Sequence, residues 1–378
     1  MARQKLVIEA SAIADKQPSG VGYSIINFID ALSSNASIAN VYDIHIIVPS
    51  RRLQFAKDNI STENITIRHN YLQNRIVNLL NYLGLLPHMD KIYGQGLYLF
   101  PNYKNWPLTK KSKSMTIIHD LAFLLYPDTV EPKNQAMLAK NVPRWIYRTD
   151  KVITVSNNSK QEIIKNLSID AERVATLYNI VPSLKTLPTH EKVLEVRERY
   201  HLPERYLLIL STIEPRKNLS QLLDVYDALG DAFKAAYPLV ICGGIGWERP
   251  AVIERMEQGI RDGWIVRPGY VKEEDKPSLY AGAKLFIHPA IHEGFGLPPL
   301  EALQSGTAVL ANNIPVLREV LGDAVTYADF SDVAATVALL REMIERAVKP
   351  NQQTVAGILE RYSPDSVVSA FCSIVEEL

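Results

Sequence analysis

Cysteine is nearly absent from this chain: Cys242 and Cys372 are the only two among 378 residues. They stand far apart, outside any metal-ligand spacing, and read as buried reduced thiols of a cytoplasmic protein rather than a disulfide framework or a zinc module. An Asp-x-Asp pair, which would suggest a divalent ion held through a diphosphate, does not occur, and the 8 histidines form no cluster with the cysteines. Long apolar runs are missing too. Leu6-Val-Ile8 is broken by Glu9, too short for a signal peptide's hydrophobic region, and no stretch nears the ~18–20 apolar residues of a membrane span. The chain also lacks solenoid repeats, heptads, low-complexity tracts and any interleaving of basic with aromatic residues, so no nucleic-acid partner is indicated.

What is present is ordinary in amount and uneven in place. A hydrophobic content of 47% and a charged content of 22% suit a soluble globular protein, and the length exceeds what one compact core usually spans. Two domains follow. Net charge is zero, yet the chain through Ile180 holds 21 Lys and Arg against 14 Asp and Glu, and the remainder 20 against 27. A basic first half and an acidic second half fit domains that attract one another or meet different partners. Arg51-Arg52 and Lys110-Lys111-Ser-Lys113 read either as solvated loops or as a face near anionic lipid.

Short apolar strands alternate with longer helical patterns throughout, the signature of parallel sheets covered by helices on both faces. Strand candidates in the first half are Leu6–Ala10, Tyr42–Val48, Ile65–Arg68, Met115–His119, Lys151–Val155 and Val174–Tyr178. A second series comprises Tyr206–Leu210, Leu239–Cys242, Ile265–Arg267, Leu285–His288 and Ala308–Ala311. The expected organisation is α/β: a Rossmann-like domain over 1–185, a linker over 186–204, a second Rossmann-like domain over 205–360, and an amphipathic helix within 361–378. Ligands of such doubly wound sheets bind beyond the carboxyl ends of the strands, so a cleft between the domains is expected.

The segment His292-Glu-Gly-Phe-Gly-Leu-Pro-Pro-Leu-Glu301 is the richest in chemistry. It reads as a loop with one carboxylate at its entrance, running into a helix with a second, Glu301, in its first turn. Gly294 and Gly296 let a ligand approach the backbone closely, and Pro298 and Pro299 suit the first helical positions. The free amides and dipole of that helix start favour an anion. Strand Tyr206–Leu210 leads into Ser211-Thr-Ile-Glu-Pro-Arg-Lys-Asn218, which puts Arg216 and Lys217 between a strand's carboxyl end and the next helix. Arg offers a forked grip on a diphosphate and Lys a mobile point charge. Weaker signals are Ser19-Gly20-Val-Gly22-Tyr23, which is not a dinucleotide fingerprint because Ile25 replaces the third glycine, and Gly243-Gly244-Ile-Gly246. His119, at a strand end, reads either as a cleft histidine touching a sugar or as a satisfied half-buried one. Tyr270 is similarly open as a stacking platform for a base.

In order, Gly20-Val-Gly22, His119-Asp120, Glu214-Pro-Arg-Lys-Asn218, Gly243-Gly244, Gly269-Tyr-Val271 and Glu293 through Glu301 resemble the retaining glycosyltransferases of family 4, which have the GT-B fold. The resemblance runs from about Gly20 to Ala324, its Arg-Lys and paired-glutamate elements being the specific ones. One departure is Leu317-Arg-Glu319, where a proline commonly precedes the glutamate.

The resemblance implies that Gly22 presents its backbone to donor phosphates and that Arg216 with Lys217 holds the diphosphate. Glu293 would bond donor-sugar hydroxyls with help from amides at Phe295 and Gly296, beside Leu297. Glu301 would bind the ribose, and His119 would contact the sugar near its primary hydroxyl. Gly20, Gly243, Gly244, Tyr270 and Val271 complete the expected donor site. Front-face transfer with retention would need neither a metal nor another cofactor. The expected donor is a nucleotide-diphosphate sugar, with GDP-mannose the narrow choice. The acceptor would be a glycan or a polyprenyl-linked glycan in polysaccharide biosynthesis, with peripheral attachment to the inner face of the membrane. The last helix would pack back on the first domain. Competing readings are a disaccharide phosphorylase or sugar-nucleotide epimerase on the same fold, a two-lobed sugar-binding protein, and a nicotinamide dehydrogenase.

Overall fold

A computed structural model describes residues 3–13, 20–60, 64–70, 74–184 and 186–378. Ser19 of the early glycine segment and the expected boundary at 185 lie outside the described residues. The chain divides into two compact units: Met1–Leu121 with Ala136–Pro182 and Arg361–Leu378, and Ala122–Gln135 with Ser183–Glu360.

The first unit is built on β1 (Gln4–Glu9), β2 (Tyr42–Pro49), β3 (Ile65–Asn70), β4 (Leu97–Phe100), β5 (Lys113–Ile118), β6 (Lys151–Thr154) and β7 (Val174–Thr176). They pair in parallel in the order β3-β2-β1-β4-β5-β6-β7. Leu6, Val7 and Ile8 are all buried, as a parallel strand covered on both faces requires. β4 has no counterpart among the strand candidates. Leu97-Tyr-Leu-Phe100 is four apolar residues long, and so short a run carries no period to separate strand from helix.

The helix Gly20–Ser34 covers this sheet through Ile25, Ile29 and Leu32, and its Phe28 meets Phe371 edge-on at 5.2 Å. Phe371 belongs to the helix Pro364–Glu376, whose Val367, Val368 and Ile374 are buried as well. Each such side chain contributes about 1.5–3 kcal/mol as an upper range for area burial. Val181 N donates to Tyr362 O at 3.0 Å, and Lys151 reaches Glu377 at 2.5 Å. Residues Arg361–Leu378 are thus structural members of the first unit.

The second unit carries β8 (Leu207–Leu210), β9 (Leu239–Cys242), β10 (Ile265–Gly269), β11 (Leu285–His288), β12 (Val309–Asn312) and β13 (Thr326–Ala328). These are parallel in the order β10-β9-β8-β11-β12-β13. Ile209, Leu222, Leu223, Tyr226, Ile241 and Ile287 lie in its core. β13, three residues long, was also beyond reach of periodicity.

The 186–204 segment is not a free connector. Its helix His190–Arg199 ends on Arg199, whose Nη1 reaches both oxygens of Asp275 at 2.7 and 2.8 Å, and Tyr200 Oη donates to the same carboxylate at 2.8 Å. Asp275 is fully buried, and three such bonds fix the segment to the second unit. Ala122–Gln135 also clusters with this unit, a placement that periodicity does not signal: Tyr126 lies 4.8 Å from the His292 ring.

In each sheet the order reverses once, between β1 and β4 and between β8 and β11. In doubly wound sheets the loops leaving such strand pairs diverge, and ligands bind where they do.

Candidate functional site

The loops that follow β8 and β11 hold a cluster of charged side chains in the second unit. After β8 the chain makes a turn of 3₁₀ helix over Pro215–Lys217 and leaves it through Asn218, at φ 58°. Asparagine tolerates this left-handed conformation better than most residues. Asn218 Nδ2 donates to Pro289 O at 3.1 Å, and Ile291 N donates to Arg216 O at 2.9 Å. Two backbone-anchored bonds therefore tie the β8 loop to the β11 loop. The result brings Lys217, Arg216 and Glu293 together, as the sequence reading required of a single site.

Glu293 accepts from Lys217 Nζ at one oxygen and from Arg216 Nη1 at the other, at 3.2 Å. His288 Nε2 lies 3.2 Å from the same carboxylate, without the alignment of a full hydrogen bond. Arg216 Nε donates to Glu214 Oε2 at 3.1 Å, so the cluster holds two cations and two carboxylates. Burial works to raise the Glu293 pKa, but Lys217, His288 and Arg216 outweigh it and hold the carboxyl well below the ordinary range. Burial and the neighbouring Arg216 push Lys217 down from the usual lysine value, against the pull of Glu293. His288 is pushed down chiefly by burial, against Glu293. The sequence names Glu214 only as part of a motif and His288 only as a strand end, with no site role for either. His288 ends strand β11, so its place at the sheet's binding edge was readable, whereas Glu214's contact depends on the 3₁₀ turn.

Gly296 stands at φ 96° and caps the helix Leu297–Gln304. A Cβ on it would come within 2.8 Å of Leu317 Cδ2, so conformation and space both favour glycine. Because the helix starts at Leu297, Glu301 is its fifth residue and falls past the first turn, a correction to the expected register. Its carboxylate is held elsewhere: Tyr280 Oη donates to Glu301 Oε2 at 2.7 Å. Lys276, paired with Glu273 at 2.7 Å, keeps a raised pKa because Glu301 and Glu273 together overcome its burial. Tyr280 and Lys276 were not foreseen. Tyr270 is partly exposed, Val271 and Phe295 are buried, and Leu297 is partly exposed.

The two glycines after β9 differ. Gly243 stands at φ 122°, its amide donates to Gly269 O at 2.7 Å, and a Cβ would fall 2.1 Å from Ser211 O. Its backbone is committed to the sheet edge, which accounts for the glycine without a ligand. A Cβ on Gly244 would meet open space.

In the first unit, Gly20 and Gly22 open the helix Gly20–Ser34, Gly20 exposed and Gly22 buried. His119 directly follows β5 and is buried, and its Nε2 pairs with Pro101 O at 2.9 Å. A carbonyl partner makes Nε2 the protonated nitrogen and leaves Nδ1 as an acceptor. Burial lowers the pKa of His119, so the ring is neutral at pH 7. It borders a small cavity lined in part by Ser24, Ile117, Leu177 and Asn179. At the β1/β4 reversal, Glu9 accepts from Ser11 N at 3.1 Å, and burial pushes its carboxyl up.

The second unit therefore carries paired cations and carboxylates at its strand-order reversal, the edge at which doubly wound sheets bind ligands. Comparison with known proteins makes the class specific. Residues 195–357 match the family model for glycosyl transferases group 1. Over 264 residues the chain is 34% identical to O-antigen chain mannosyltransferase B of Escherichia coli, covering 69% of this chain and 67% of that protein. It is 31% identical over 216 residues to the serotype-specific mannosyltransferase WbdA of Escherichia coli, covering 56% of this chain and 26% of that longer relative. The crystal structure of HepE from Anabaena in complex with UDP and glucose aligns over 100% of both chains with a TM-score of 0.70 at 14% identity. Sucrose-phosphate synthase from Thermosynechococcus elongatus aligns over 99% of both chains at 0.71 and 14% identity. The chain belongs to the group 1 glycosyltransferases and has the GT-B fold. It is a hexosyl-transferring enzyme.

Proposed function

We propose that the protein transfers an α-mannosyl group from GDP-mannose, with retention and without a metal ion, to a growing glycan of a surface polysaccharide. The observation that carries this reading is the Lys217–Glu293–Arg216 cluster at the β8/β11 reversal. Two preorganised cations stand where a leaving diphosphate develops charge, and such donors each lower a barrier by an amount worth roughly 10²–10³ in rate. Glu293, once the diphosphate has taken its partners, is free to accept from donor-sugar hydroxyls. Glu301, already oriented by Tyr280, is suited to a ribose diol. Gly20, Gly22, Gly244, Tyr270, Val271, Phe295, Gly296 and Leu297 are assigned to the donor on the strength of their motifs. His119 is assigned to a sugar hydroxyl, which it would accept from at Nδ1.

The mannosyl choice is supported by the relatives named as mannosyltransferases. A polyprenyl-linked acceptor, met in the cytoplasm at the membrane's inner face, is part of the same reading. Among the described residues no helix is long and apolar enough to cross a membrane, so attachment would be peripheral. The test is a thermal-shift panel of GDP, UDP, ADP and inorganic phosphate, followed by transfer assays with the corresponding mannose and glucose donors. A ligand of the folded state raises the midpoint by mass action. A shift with GDP and turnover of GDP-mannose are expected. A response to UDP alone would overturn the donor, and a response to phosphate alone would favour a phosphorylase.

A further inference from the structure

The helix Asn74–Leu83 is apolar on both sides. Toward the first unit's core it buries Val77 and packs Leu80 beside a cluster containing Tyr93, Phe100 and Trp106. Asn81 Nδ2 donates to Asn105 O at 2.8 Å and fastens that side. Toward solvent it shows Ile76, Leu79 and Leu83, exposed by 44%, 56% and 55%, with Tyr82 beside them and Leu85 following at 67%. Spacings of three and four align the first three along one stripe. Asn78 and Asn81 interrupt the apolar surface, and the stripe of Ile76, Leu79 and Leu83 is left uncovered within its own unit.

The flank of the stripe is cationic. Lys140, on the helix Pro132–Arg148, donates from Nζ to Tyr82 Oη at 2.8 Å and sits 5.0 Å from the ring centroid. Arg144, one turn on, donates to Tyr82 O at 3.3 Å, and Tyr147 beyond it is 84% exposed. Neither the sequence from 71 to 89 nor that from 132 to 149 contains an aspartate or glutamate. Apolar side chains for an acyl boundary, tyrosines at its margin and long cations without competing acids are the elements of an interfacial membrane helix. Protein interfaces, by contrast, are depleted in lysine around their apolar core.

We propose that this face, the outer stripe of Asn74–Leu83 with Lys140 and Arg144, docks the enzyme on an anionic lipid surface. The basic loops at Arg51-Arg52 and Lys110-Lys111 are not the anchor, because they lack apolar side chains to insert. The purpose of such docking rests on the lipid-linked acceptor reading; the surface itself does not.

The experiment is co-sedimentation of the full chain with vesicles of phosphatidylcholine, with or without phosphatidylglycerol, across a salt series. Wild type is expected to bind the anionic vesicles and to be released by salt, as screening requires. L79E/L83E should abolish binding. K140Q/R144Q should weaken it by about 25-fold and flatten the salt dependence, from roughly fivefold per cation at an anionic surface. The nucleotide-induced thermal shift should be unchanged in both variants, which also shows that they fold. Wild-type protein that ignores anionic vesicles would overturn the proposal, as would equal binding by all three proteins. A concentration-dependent dimer abolished by L79E/L83E, with no vesicle binding, would reassign the face to self-association. A nucleotide shift without vesicle binding sinks this proposal alone, and vesicle binding without a nucleotide shift sinks only the donor assignment.

Discussion

Replacing Glu293 by glutamine should make the enzyme less stable, no weaker in binding nucleoside diphosphate, and far slower. The carboxylate touches Lys217 and Arg216, whose side chains are only 14% and 23% exposed. Its loss leaves two like charges side by side, with Glu214 still paired to Arg216. Removing one member of a buried pair typically costs 3–5 kcal/mol. Glutamine keeps the shape of the side chain and can still accept from Lys217, so the lower end applies: about 3 kcal/mol, or roughly 6–12 °C for a unit of this size. Bound diphosphate supplies the missing negative charge without first displacing a carboxylate. The ligand-induced midpoint shift should therefore be larger in Glu293→Gln than in wild type, while turnover falls by roughly 10²–10³. Calorimetry with and without GDP, beside a transfer assay, separates these effects. An unchanged midpoint, or a diphosphate affinity that falls in step with turnover, would refute the reasoning.

Three further outcomes follow from the geometry. Gly243→Ala should destabilise by about 3 kcal/mol or more, through the clash with Ser211 O and the positive φ, whereas Gly244→Ala should be within about 1 kcal/mol of wild type; paired urea melts decide. Tyr280→Phe removes the hydroxyl that holds Glu301 and should cost about 1–2 kcal/mol; it should also weaken GDP binding while leaving affinity for inorganic phosphate intact, measurable by titration calorimetry. His119 and His288 have lowered pKa values, so below the ordinary value of 6.5 the unfolded chain binds more protons than the folded one, and stability should fall as pH drops through that range. His288→Gln should shallow that slope in pH-resolved melts. Glu293, depressed as well, keeps its contribution down to the ordinary glutamate value near 4.5 and loses it only as pH falls further.

Much of this was readable in the residues because parallel sheets announce themselves. Strands such as Leu239–Cys242 and Leu285–His288 are continuous apolar runs bounded by glycine, histidine or proline. The doubly wound order then places whatever follows β8 and β11 at one edge. Arg216, Lys217 and Glu293 needed no more than that. Glu301 was legible as a residue but not in its register, since two prolines are compatible with several helix starts and only the backbone turn at Gly296 selects one. Tyr280 escaped because its bond to Glu301 joins residues some twenty apart through tertiary packing alone, and Lys276 because it feels Glu301 only through that same packing. Glu214 and the docking of Arg199 on Asp275 escaped for the same reason: charge on a surface-like pattern does not say which acid it will meet. β4 and β13 were too short for periodicity to register.

The chain passes between its two compact units four times, and this orders its birth on the ribosome. The first unit's sheet strands are all translated by Thr176, yet Phe28 cannot find Phe371, nor Val181 the carbonyl of Tyr362, until the whole second unit has been synthesised. At elongation rates of about 5–20 residues per second, the nascent first unit waits on the order of ten to forty seconds before Phe371 can reach the helix Gly20–Ser34. Throughout that interval Phe28 is without Phe371, and the first unit's apolar seam is the surface that a chaperone would meet.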